Sequence, residues 1–559
     1  MKTEWYKNAI VYQIYPFSYK DSNNDGWGDI KGIISKLDYI KDLGVNAIWF
    51  SPLYKSPDYD YGYDISDYKD IDEKFGTMAD FDRLLEECHK RDLKVIMDMV
   101  INHTSIEHPW FKQALSSPDS PYRDYYIIRK GKWVKDKLLP PTNWASTFTG
   151  SAWERIGETD EFYLHLFCKE QADLNWENEN VRKEIIDILN FWLSKGVDGF
   201  RFDVFNMFSK VYPFKDDNDP NSYQKGAKYF VDGPRMHEFL KELNEKALSL
   251  YDSYTVGESF HPSDEACLEY VKEDNHELDT IFNFEHLASD NIGDKKFFWK
   301  PFNLKQFKEG FFKPQRTYYG EGWNTLVLEN HDNPRSVNRF SIDTDKYHYE
   351  AATFLATITY MGFGIPFIYM GQEIGMTNCD FKSIDDLKDP VSHFVYDLMS
   401  GYGMPKKLVF SFIKYGARDH ARVPMQWNDS VNAGFNEGAK PWQCINPEYK
   451  KYNVEKDLNS EKSIYRYYQK LLKIKKENKI AIYGRTDEYD HDNNKIIAYS
   501  RTYETRRLFV VGNFSNKKVS YDIPIWAVRK ILINNYDKLS VRGTTITLEP
   551  YQAVVFEEE

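Results

Sequence analysis

Four short apolar runs in this 559-residue chain carry, or end in, ionisable residues that core packing would not select. Val95–Val100 encloses Asp98 and runs into Asn102 and His103, while Gly199–Val204 carries Arg201 and Asp203. Thr255–Gly257 ends at Glu258, and Thr325–Leu328 leads into Glu329, Asn330, His331 and Asp332. A buried charge costs free energy unless it is paired or used, so four such runs point to one shared task. Glycosidic bond cleavage needs a carboxylate to attack or stabilise an oxocarbenium-like centre and an acid to protonate the leaving oxygen; Asp203, Glu258 and Asp332 offer such a set. Arg201, two residues before Asp203, shares its strand face, where a guanidinium would keep that carboxylate ionised and oriented. His103 and His331 supply donors suited to sugar hydroxyls. A second cluster lies in DSNNDGWGD, where Asp21, Asn23, Asp25 and Asp29 place oxygen at alternate positions and Gly26 and Gly28 permit a tight turn. Such spacing wraps a hard cation, Ca²⁺ or Mg²⁺. The twelfth position is Gly32 rather than Glu, so the loop is not an EF-hand.

The elements that must position these groups alternate along the chain. Short β-rich runs (Val11–Tyr15, Ala47–Phe50 and Pro366–Tyr369 besides the four above) are separated by helical patterns at Ile33–Leu43, Phe81–Arg91, Val181–Lys195 and Met236–Leu250. About eight such units close most naturally as an α/β TIM (β/α)₈ barrel, with catalytic groups at the C-terminal strand ends. This barrel is expected over residues 1–102 and 174–478. Residues 103–173, rich in Pro, Trp and Tyr and lacking a helical repeat, read as an inserted loop domain after the third strand. From 479 to 559 the runs Ile496–Arg501, Leu508–Asn513, Val519–Ile523, Lys530–Ile533 and Thr545–Leu548 predict a C-terminal antiparallel β-sandwich.

Composition narrows the partners. A net charge of −13 argues against nucleic acid and anionic membranes. The opening MKTEWYKNAI has no apolar run, and no stretch is long enough to span a bilayer, so a cytoplasmic location is expected. The five cysteines are scattered without CxxC spacing and fit free thiols. No GxGxxG or P-loop follows a strand, so no organic cofactor is expected.

The segments DMVINH (Asp98–His103), GFRFD (Gly199–Asp203), VGES (Val256–Ser259) and ENHD (Glu329–Asp332) stand in the order of four signature regions of the α-amylase superfamily, glycoside hydrolase family 13, which the whole chain resembles. VYQIYP, YGYDISDY, NHTSIEHPWF, QADLNWEN and ARVPMQW resemble its oligo-1,6-glucosidase branch. The resemblance implies an exo-acting, retaining α-glucosidase with Asp203 as nucleophile, Glu258 as acid/base and Asp332 as transition-state stabiliser. It implies that His103, Phe148, Phe167, Gln171, Arg201 and His331 line the sugar subsite and that Tyr63 stacks under the glucose. Asp60 and Arg422 are implied as the pair that binds its non-reducing end. Valine at Val204 implies α-1,6 preference, and the metal loop gains the Trp27 carbonyl as a ligand. Small α-glucosides are the implied partners of a monomer or weak homo-oligomer. The alternatives are a trehalose-6-phosphate-type hydrolase, a sucrose- or isomaltulose-acting enzyme, and remotely a non-catalytic binding homologue. The chain departs from the family pattern at Ala172, Ser259 and Glu329 and is only loosely similar over residues 382–416.

Overall fold

The computed structural model describes residues 3–260, 264–293, 295–341, 344–527 and 530–558. Eight parallel strands form the central sheet: β1 Val11–Ile14, β2 Ala47–Phe50, β3 Lys94–Met99, β4 Gly199–Phe202, β5 Tyr254–Gly257, β6 Thr280–Ile281, β7 Thr325–Val327 and β8 Ile365–Tyr369. Their spatial order is 6-5-4-3-2-1-8-7. The remaining seam is stitched by side chains, with Thr325 Oγ1 donating to the Ile281 carbonyl (3.0 Å) and His286 Nε2 2.7 Å from that of Val327. Most strand positions are buried on both faces, because helices cover the outside and side chains fill the lumen.

Seven of the eight strands coincide with the sequence runs. The eighth, β6, has two residues, too few to show a period. The predicted helix over 33–43 is two helices, Ile30–Ile34 and Leu37–Leu43, and the one over 236–250 ends at Lys246 before a short 3₁₀ turn.

Register sets the site. β4 pairs with β3 (Arg201 beside Asp98) and with β5 (Phe202 beside Gly257), so the ends bearing Asp203 and Glu258 are adjacent. Glu258 N–H donates to the Phe202 carbonyl (2.8 Å) and Phe205 N–H to the Glu258 carbonyl (3.1 Å), pinning the two ends together. Gly257 is needed there: a Cβ would stand 2.5 Å from the Phe205 ring.

The insertion is closed by a two-stranded stem, His103–Ser105 against Gln171–Asp173. It contains a helix, Pro109–Ser116, which its Pro-rich composition hid; Pro109 sits at the first helical turn, where proline is tolerated. Its aromatic core joins Trp144, Trp153, Phe162 and Phe167 to Val204, Met207 and Phe230 of the barrel. The C-terminal region packs a five-stranded sheet against a three-stranded one around Phe509, Val511, Ile546 and Phe556. All five predicted strands are present; Arg485–Tyr489, Ser540–Arg542 and Ala553–Glu557 add to them. None of the five cysteines is in a disulfide, although Cys379 and Cys444 sulfurs lie 3.6 Å apart. No described helix is long and apolar enough to cross a membrane.

Candidate active site

A cavity of about 170 Å³ opens at the C-terminal ends of the strands. Asp60, Tyr63, His103, Phe148, Phe167, Gln171, Asp203, Val204, Glu258, Ser259, Phe260, His331, Asp332 and Arg418 line it. All but two of the residues expected at the site are therefore together on its wall. Arg201 and Arg422 stand immediately behind it.

Arg201 organises the centre. Its Nη1 donates to Asp98 Oδ1 and Asp203 Oδ1, each at 2.7 Å, and its Nη2 donates to Glu258 Oε2. Asp98, fully buried, also accepts from Trp49 Nε1 (3.2 Å) and Tyr63 Oη (3.0 Å), so its role is to anchor the guanidinium. Burial pushes the Asp203 carboxyl up, while Arg201 and a hydrogen bond from Glu258 hold it down. Glu258 is pushed up to about 8, by burial first and, against the pull of Arg201, by the charges of Asp203 and Asp332. Of the two, Glu258 is pushed up the further, so it is the better placed to carry a proton and Asp203 to be ionised. Two carboxyls driven apart in this way take the nucleophile and acid roles. Both are held on the same guanidinium, Asp203 through Arg201 Nη1 and Glu258 through Nη2, so the two carboxyls sit side by side on the cavity wall.

His331 and Asp332 form the opposite wall. The Gln13 amide nitrogen lies 2.8 Å from His331 Nδ1, which assigns the imidazole proton to Nε2. Nε2 faces Tyr63 Oη (2.7 Å) and Asp332 Oδ2 (3.2 Å). Burial pushes this histidine down to about 3, so it is a neutral donor. The Tyr63 ring stacks parallel to His331 at 5.4 Å and turns its other surroundings toward the cavity. His103 Nε2 lies 3.1 Å from both the Tyr63 carbonyl and Gln171 Nε2, and Gln171 Nε2 also reaches Asp60 Oδ2 (3.2 Å). Asp60 rides a tight loop in which Asp58, Tyr61 and Gly62 adopt positive φ. The loop is folded by Asp64, which accepts from the Tyr59 and Asp60 amides.

Of the two residues implied at the non-reducing end of the glucose, Asp60 lines the cavity and Arg422 stands behind it. Arg422 Nη2 donates to Asp332 Oδ1 (2.8 Å) and its Nε to the His331 carbonyl (3.0 Å), so it braces the stabiliser from behind. The cation on Asp60 is Arg418, at 3.3 Å, which also donates to Asp332 Oδ1 (3.2 Å) and lies over the Phe148 ring at 5.4 Å. Sequence reasoning missed Arg418. The available signal was its spacing four residues before Arg422, one helical turn on the same face. Gln13 was missed as well, while Ser259, noted above as a departure from the family pattern, and Phe260 beside it line the cavity.

Val204 follows Asp203 at φ 37°, ψ 42°, in the left-handed region that a β-branched side chain rarely enters. The turn it makes points its isopropyl group at the cavity among Phe148, Phe167 and Phe260.

In the loop after β1, Asp21 accepts from the Asn24 and Gly26 amides, Asp25 from that of Trp27, and Asp29 from those of Ser22 and Gly32. Among the described residues no three His, Cys, Asp or Glu side chains converge in metal-ligating geometry. The donor set is nonetheless of the hard-oxygen kind that Ca²⁺ or Mg²⁺ selects, so the residues fit such an ion.

Residues 13–484 match the α-amylase catalytic domain, and residues 496–555 match the α-amylase SusG C-terminal domain. An oligo-1,6-glucosidase of Parageobacillus thermoglucosidasius is 48% identical over 100% of this chain and 99% of its own. A trehalose-6-phosphate hydrolase of Bacillus subtilis is 43% identical over 100% and 99% of the two chains. Among solved structures, isomaltulose synthase from a Klebsiella species superposes with a TM-score of 0.95 at 40% identity, covering 99% of each chain.

Proposed function

The chain belongs to the α-amylase family of glycoside hydrolases, and from that premise we propose that it is an exo-acting, retaining α-glucosidase acting on terminal α-1,6 bonds of isomaltose and short isomalto-oligosaccharides. Asp203 Oδ attacks the anomeric carbon while Glu258 passes its proton to the departing glycosidic oxygen. Arg201 keeps Asp203 anionic through this step. The glucosyl–Asp203 ester then meets a water that Glu258, now a carboxylate, deprotonates, and the configuration is retained. Asp332, braced by Arg418 and Arg422, grips ring hydroxyls more tightly as positive charge develops. The observation that carries this reading is the pair of carboxyls, Asp203 and Glu258, held on a single guanidinium in a cavity sized for one sugar ring.

The phospho-disaccharide alternative would need positive charge left over to hold a dianion. Among the described residues lining the cavity Arg418 is the one permanent cation, and Asp60, Asp332 and Asp389 already offset its charge. We further propose that Asp21, Asn23, Asp25, Asp29 and the Trp27 carbonyl hold a structural Ca²⁺ or Mg²⁺, whose chemistry is to draw the loop carboxylates together. Unpaired thiols support a reducing, cytoplasmic setting. Initial rates on isomaltose, maltose, sucrose and trehalose 6-phosphate, with Asp203→Ala as control, test the function. Isomaltose should dominate and the control should be inert; dominance of the phosphorylated sugar would overturn the substrate reading.

A further inference from the structure

A helical hairpin, Pro390–Gly401 and Lys406–Gly416, lies outside the ring of strands, yet the residue that starts it reaches the site. Asp389 is 1% exposed. Its Oδ1 caps the first hairpin helix by accepting from Val391 N–H (3.2 Å), and the same oxygen accepts from Arg418 Nη2. Arg418 therefore has four partners from separate parts of the chain. They are Asp389 on the hairpin, Asp60 on the loop after β2, Asp332 after β7 and the Phe148 ring of the insertion. Its Nε is buried with no hydrogen-bond partner. That orphaned donor marks a pose imposed on the guanidinium by its anions, since a freely relaxing arginine would satisfy it.

We propose that Asp389 is a positioning residue, the anion that holds Arg418 in place at the cavity wall. Through Asp389 the hairpin keeps Arg418 across Asp60 and Asp332. The inference rests on the exo-glucosidase reading and deepens it, because it names a residue outside the cavity on which the closed end depends. Without the Asp389 anion, a side chain with this many rotatable bonds gains freedom to leave Asp60, and the closed end opens.

The test compares wild type, Asp389→Asn, Arg418→Lys and the exposed-face control Leu398→Ser. Each is assayed on p-nitrophenyl α-glucoside and on the same glucoside with an acetal bridging its 4- and 6-hydroxyls. Asparagine still caps the helix, so the fold survives Asp389→Asn. Expected for Asp389→Asn is a KM raised about tenfold with kcat little changed, the effect of one lost charge-assisted contact. Its rate ratio of capped to uncapped substrate should also rise about tenfold. Arg418→Lys should move the ratio in the same direction, and Leu398→Ser should leave it at the wild-type value. A purely structural role for Asp389 would lower Tm without moving the ratio, and that result, or a fall in kcat at constant KM, overturns the proposal. Should Asp389→Asn not fold, Asp389→Ser, which also caps a helix and removes the charge, is put through the same comparison and decides. If wild type releases no sugar from the uncapped glucoside, the functional reading fails; if it does and the ratio stays fixed, only this inference falls.

Discussion

At the scale of single residues, the chemistry turns on one proton. Glu258 must carry it for the first step, and its carboxyl is pushed up to about 8, so kcat/KM should fall as pH rises through that value. The acid limb belongs to Asp203, whose ionised form is required; activity falls as pH drops through its own, lower titration. Glu258→Gln should abolish the alkaline limb and cut isomaltose hydrolysis by about 10²–10⁴-fold, the usual worth of a positioned acid. An aryl glucoside, whose leaving group needs no proton, should be spared most of that loss in the glycosylation step. Asp203→Asn should be inert on both. Equal losses of Glu258→Gln on the two substrates would sink the acid assignment. The residues themselves were conspicuous in the sequence because an isolated charge at the end of an apolar run is costly, whereas their separate roles came from the family resemblance alone. Asp389 was not conspicuous, since it sits in a polar segment where another charge carries no signal, and Arg418 offered only its helical spacing from Arg422.

At the scale of elements, the turn after β4 holds the next determinant. Val204 stores strain in a left-handed conformation, worth about 1–3 kcal/mol. Val204→Gly relieves it but gives up a buried side chain worth about 1.5–3 kcal/mol, so Tm should change little. What should change is selectivity: with the isopropyl wall gone, the ratio of kcat/KM on isomaltose to that on maltose should fall. An unchanged ratio would remove Val204 from the specificity argument. The loop after β1 makes a separate prediction. If its oxygens bind Ca²⁺, saturating metal should raise Tm by several degrees by mass action, and Asp21→Ala should lose the increment. Tm curves with and without chelator measure both. Strands β1 to β5, β7 and β8 were readable because fully buried parallel strands are short apolar blocks. β6 was not, because its two residues owe their conformation to neighbours on one side and to the Thr325 and His286 stitches.

At the scale of the whole molecule, the C-terminal sandwich is fastened to the barrel by buried cations. Arg501, on the strand Ile496–Tyr503, is fully buried and has carbonyl oxygens, not carboxylates, as partners: Met361 (2.5 Å), Gly484 (2.7 Å) and Ile482 (3.4 Å). Beside it Lys475 Nζ donates to the Gly362 and Ala481 carbonyls at 2.6 and 2.8 Å. These oxygens end the helices Thr344–Tyr360 and Lys479–Tyr483, where orphan carbonyls and the negative end of the helix dipole welcome a cation. Burial still pulls Arg501 down, to about 10, and Lys475 well below its usual range. The arrangement is costly, and it is retained where the two domains meet. Arg501→Met fills similar volume but leaves several buried carbonyls without donors, at about 1–3 kcal/mol each. Tm should therefore drop by several degrees, while kcat/KM on isomaltose at 25 °C stays at the wild-type value, because no residue of the sugar cavity belongs to this domain. Differential scanning calorimetry would separate two outcomes. A single transition shifted down means that barrel and sandwich unfold as one unit fastened at this point. A new, earlier transition with activity intact means that the sandwich melts on its own and that the barrel does not depend on it.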